Sequence, residues 1–83
     1  MRSHRDWLPI GSVVMLKGYE SKLMIYGRNQ MRNGLEKFDY VACHYPQGNI
    51  SSNYNVFFNK DQIEKVLFKG FIDEEERILR LQL

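Results

Sequence analysis

The stretch SVVMLKGYESKLMIYGR, Ser12–Arg28, decides the fold. Its two halves, Ser12–Gly18 and Lys22–Arg28, are rich in β-branched, aliphatic and aromatic residues with the alternation of half-buried strands. Gly18 and the three residues Tyr19–Ser21 leave a gap that suits a hairpin, so the halves read as antiparallel neighbours. Ahead of them, Pro9 and Gly11 mark the end of an irregular lead-in.

Further along, Asn29–Lys37 is polar and contains Asn33-Gly34, the strongest short turn dipeptide in the chain. It separates the second strand from a third at Phe38–Tyr45. Pro46–Asn53 gathers Pro, Gly, Asn and Ser and reads as a loop, followed by a fourth strand at Tyr54–Asn59. The next segment carries two signals. Asn59 or Asp61 caps a helix with Ile63, Val66 and Leu67 at helical spacing, whereas Val66–Phe68 before Gly70 reads as a strand. The reading adopted is a turn at Lys60–Ile63 and a fifth strand at Glu64–Lys69.

The tail DEEERILRLQL, Asp73–Leu83, is a helix. Asp73 suits the N-cap, and Glu76 three residues on completes a capping-box arrangement. Acids crowd the positive end of the helix dipole, while Arg77 and Arg80 lie toward its negative end. Asp73–Arg77 and Glu76–Arg80 stand at i,i+4 in the favourable order. Ile72, Leu79 and Leu83, flanked by Ile78 and Leu81, form a wide apolar stripe. So short a helix is marginal alone, so the stripe is expected to pack on another surface.

Five short strands and a closing helix predict a mainly β protein, a small bent antiparallel sheet or SH3-like barrel with a C-terminal α-helix. The alternative is an α+β fold, a four-stranded antiparallel sheet with two helices. Eighty-three residues allow one domain, 1–83, with residues 1–7 expected to be flexible. One cysteine leaves no internal disulfide, and the N-terminal residues carry charges without the apolar run of a secretory signal. The longest apolar run, Val13–Leu16, falls far short of a membrane span. These features predict a cytoplasmic protein with no membrane association. The net charge of +2 is polarised, basic in residues 1–34 and acidic in 70–83, a pattern that orients association rather than setting the fold.

Several chemistries fail on geometry or ligand count. Cys43 and His44 are adjacent in a predicted strand, so their side chains point to opposite faces and cannot act as nucleophile and base. One Cys and two distant His, His4 and His44, fall short of a closed zinc set. The DEEE run lacks the spacing of a calcium loop. Gly11 and Gly18 bracket an apolar strand, not a phosphate loop. The expectation is a protein with no catalytic residues, no metal and no cofactor. Tyr19, Tyr26, Arg28, Tyr40, Tyr45 and Tyr54 supply the aromatic and basic residues of a single-strand nucleic-acid binder, an alternative weakened by the mild net charge. The residues read as partner-binding are Trp7, Leu8 and Ile10 in the lead-in and Ile78, Leu79 and Leu81 on the helix, with Trp a common interface anchor. For the lead-in, the competing reading is that it folds back and closes the core.

The chain also resembles a family of small uncharacterised proteins of Gram-positive bacteria. The residues that carry the resemblance are Leu8–Val14, Lys22–Gly27, Asp39-Tyr40, Tyr45–Gly48, Phe57–Asn59, Asp61–Ile63 and Gly70–Glu76. Ala42–His44 departs from the small or aliphatic residues of that family, which argues against a shared role for Cys43-His44. Members are often encoded beside type VII secretion clusters of the WXG100 and LXG kinds and their toxins. The resemblance therefore implies a non-enzymatic accessory, chaperone-like or adaptor protein. The partners implied are a secreted toxin or small helical secretion proteins, with room for a homo-oligomer.

Overall fold

A computed structural model describes residues 7–83. The chain forms β1 (Val13–Leu16), β2 (Lys22–Arg32), β3 (Glu36–Tyr45), β4 (Val56–Phe58), β5 (Ile63–Phe68) and α1 (Glu74–Arg80). All strand pairs are antiparallel, in the order β4-β3-β2-β1-β5. The result is an open five-stranded sheet with one C-terminal helix, in the mainly β class. Lys60–Phe68 builds a 3-10 turn at Lys60–Gln62 and then β5, not a second helix. The α+β alternative is thereby overturned. Asn59 settles the turn, because its backbone N–H donates to the Gln62 side chain at 2.8 Å, and Gln62 N–H returns to Asn59 O at 3.0 Å.

The β2–β3 hairpin is longer than alternation predicts. Asn29–Arg32 and Glu36-Lys37 pair as strand, with Gln30 opposite Phe38 and Arg32 opposite Glu36. Asn33 and Gly34 take positive φ at the tip, 56° and 69°, the geometry the Asn-Gly pair favours. This arm projects past the core and has no face to bury, so its sequence shows no apolar period. The fourth strand is shorter than predicted, because Ser52–Tyr54 forms a 3-10 turn capped by the Ser51 side chain.

The core lies on one face of the sheet. Val14 and Leu16 of β1, Leu23 and Ile25 of β2, Tyr40 and Ala42 of β3 and Phe58 of β4 meet there, joined by Trp7. Trp7 packs edge-on against Tyr40 with ring centroids 5.5 Å apart. The lead-in is drawn over this face because Leu8 N–H donates to the Tyr40 hydroxyl at 2.9 Å. Trp7 is thus a packed residue, in contrast to the flexibility expected of residues 1–7; the rest of that expectation, with His4, lies outside the described residues. The chain returns to the lead-in after β5. Gly70 N–H donates to the buried Ser12 Oγ at 3.0 Å, and that hydroxyl donates to Pro9 O at 2.8 Å.

A bulge in β2 determines what else faces the core. Ile25 is opposite Ala42, yet Gly27 is opposite Val41, so Tyr26 is the extra residue. Every side chain after a bulge changes face. Arg28 therefore stands opposite Tyr40 and points inward, where simple alternation from Leu23 and Ile25 sends it outward. Gly27 permits the close approach, since a Cβ there would lie 2.6 Å from Val41 Cγ1.

Candidate interaction surface

Arg28 delivers a guanidinium to the edge of the core. Its side chain is only 3% exposed and meets Glu76 of α1, itself 10% exposed, at 2.7 Å. The contact is bidentate: Nη1 and Nη2 each donate to a Glu76 oxygen at 2.7 Å. Nη1 also donates to Leu8 O at 3.2 Å, so the same group holds the lead-in. One helical turn on, Arg80 donates to Glu76 Oε2 at 2.9 Å. The hydrogen bonds from Arg28 hold the Glu76 carboxyl below the usual carboxylate range; burial pushes the other way, and Arg80 adds to the lowering. The N-cap places Glu76 for this task, because Asp73 Oδ1 accepts from Glu76 N–H at 2.9 Å. Arg77 pairs with Glu74 at 3.8 Å rather than with the Asp73 its spacing favours.

This arrangement turns the helix. Its inward side is the Glu76–Arg80 stripe, joined by half-buried Ile72 and Leu83. Of the stripe expected to pack on another surface, Ile72 and Leu83 are half-buried, whereas Leu79 is 48% exposed and the flanking Ile78 and Leu81 are 53% and 65% exposed. Magnitudes explain why. Burying Leu79 or Ile78 completely is worth ~1.5–3 kcal/mol each, and part of each is already covered. An unpaired guanidinium at the Arg28 position costs several kcal/mol in desolvation alone, about 3–5 kcal/mol in proteins where one partner of a buried pair has been removed.

Further exposed apolar residues lie outside the helix. Val66, Leu67 and Phe68 of β5 are exposed, and so is Phe71 in the link to α1, at 80%. Among the described residues, β5 pairs with β1 alone and its other edge carries no strand. An apolar edge strand of this kind is a template for association. A groove of about 420 Å³ is lined by Val13, Lys22, Met24, Tyr45, Leu67 and Phe68. Ile10 is exposed and lies against Gly70, its carbonyl oxygen 2.2 Å from where a Gly70 Cβ would stand. The structure thus keeps Ile10, Ile78, Leu79 and Leu81 at the surface, buries Trp7 and half-buries Leu8. It adds Val66, Leu67, Phe68 and Phe71, which sequence reading passed over because an exposed edge strand has the same apolar pattern as a buried one.

The chemistry-bearing residues do not converge. Cys43 is buried with its sulfur 3.8 Å from Met24 O, while His44, on the opposite face, has Nε2 3.3 Å from the Tyr19 hydroxyl. Among the described residues no three His, Cys, Asp or Glu side chains gather as metal ligands, and no helix is long and apolar enough to cross a membrane. Of the six residues set out for a nucleic-acid surface, Arg28 and Tyr40 are buried in the core and its latch.

The sequence signal for the latch was Gly27. A lone glycine inside a strand pattern marks a bulge or close backbone approach, and a bulge there reassigns Arg28 to the core face.

No curated protein and no solved structure matches the chain. A family model does match it over residues 7–79, from the packed Trp7 through β5 and into α1. The chain belongs to the family described as a domain of unknown function, DUF4176.

Proposed function

We propose that this chain is a non-enzymatic accessory protein that docks a protein partner on its C-terminal limb, β5 through α1, within a type VII secretion system. The observation that carries the reading is the outward apolar face of α1, Ile78, Leu79 and Leu81, continuous in sequence with exposed Phe71 and β5. A short helix that displays its apolar residues is stabilised when a second surface covers them. The secretion context comes from the resemblance to Gram-positive proteins encoded beside such loci. The partner in this reading is a toxin of the LXG kind or a small helical protein from the same locus, met in the cytoplasm.

Co-purification of the tagged chain with each candidate from its own locus tests the proposal. The expected result is one partner retained by the parent and lost by Ile78→Asp combined with Leu81→Asp, with the circular dichroism of the sheet unchanged. Failure of every locus-encoded partner to bind under native conditions, or equal retention by the double variant, refutes it.

A further inference from the structure

We infer that Arg28 is a positioning residue that sets the rotational phase of α1, so that Ile78, Leu79 and Leu81 are presented outward instead of packing on the sheet. The inward side is defined by Glu76, whose carboxylate accepts from Arg28 at 2.7 Å, and by Arg80, whose guanidinium closes on the same carboxylate at 2.9 Å. At about 100° per residue, Ile78 lies roughly 200° around the axis from Glu76, on the far side, and Leu79 lies about 60° to one flank. A short amphipathic helix on a sheet ordinarily turns its apolar arc inward. Here Ile78 and Leu81 are turned away from the sheet, with Leu79 at the flank and Ile72 and Leu83 half-buried on the inward side.

Three features make this a device of position rather than a generic ion pair. The bulge at Tyr26 places the guanidinium on the core face. The fork is bidentate, which fixes direction as well as distance. The Asp73 cap fixes where the helix begins, so Glu76 cannot slide past Arg28. Buried ionic groups are often less stabilising than an apolar replacement and are retained for the specificity they impose. In α1 the specificity is rotational. The inference deepens the docking reading by naming what displays the surface, yet its test needs no partner, so either can fail without the other.

The test is thiol labelling at Leu79→Cys in a Cys43→Ala background, with amide exchange across residues 74–80 followed in parallel. In the parent background the thiol at position 79 is accessible. Combining Arg28→Leu with Glu76→Gln removes both charges of the buried pair and leaves Arg80, 17% exposed, beside a neutral amide that can still accept from it. The expected result is labelling slowed roughly tenfold or more while the α1 amides stay protected, the signature of a helix that has rolled its apolar arc inward. An unchanged labelling rate with protected amides overturns the inference, because the phase is then set elsewhere. Faster labelling with lost protection also overturns it, because Arg28 is then only a tether. If the double variant does not fold, Glu76→Gln alone is read by the same criteria, with protection of the β2–β3 amides as the check on folding.

Discussion

At the residue scale, Glu76 accepts four N–H groups from two arginines, so its ionised form is favoured in the folded protein. Its folded pKa lies below its unfolded one. Its contribution to stability is therefore complete above the ordinary glutamate pKa, about 4.3, and is lost as the pH falls from there through the folded value. Glu76→Gln should cost about 3 kcal/mol in urea unfolding at pH 7, and the gap between parent and variant should close steadily below roughly pH 4. A gap that is constant down to low pH contradicts this account. A second residue-scale prediction concerns Gly70. A Cβ there would meet Ile10 O at 2.2 Å and its carbonyl carbon at 3.0 Å, and backbone cannot move aside as a flexible side chain does. Gly70→Ala should lose about 2 kcal/mol or more by denaturant unfolding; a loss near zero means the β5–lead-in crossing is looser than described.

At the element scale, α1 has seven residues, too few to be stable as an isolated helix. Its cap, its dipole-matched charges and the i,i+4 pair Glu76–Arg80 were all legible in the sequence, and the structure has them. Its orientation was not legible, because the residue that decides it lies 48 positions away on β2. Exposed Ile78 therefore contributes little to folding: Ile78→Ser should change the thermal midpoint by no more than ~0.5 kcal/mol of stability allows. A much larger drop means that Ile78 is buried in the free protein. The hairpin arm shows the opposite difficulty. Asn29–Lys37 looks like a loop because nothing buries it, and it is held as strand by cross-strand hydrogen bonds and the Asn33-Gly34 turn.

At the scale of the whole molecule, local patterns were enough to count five strands and one helix and to choose antiparallel pairing for β1 and β2. Alternation also separated Cys43 from His44, as the two faces of β3 do. The chain by itself determined these features because period, turn residues and caps act over a few neighbouring residues. Only the tertiary structure decided that β5 closes on β1 rather than on β4, and that Trp7 folds back onto Tyr40. It alone decided that Ile78, Leu79 and Leu81 face outward. Each of these outcomes rests on contacts distant in sequence. A single bulge at Tyr26 changes the face of every later β2 side chain, so a one-residue irregularity turned an apparent surface arginine into the buried charge around which the helix is oriented.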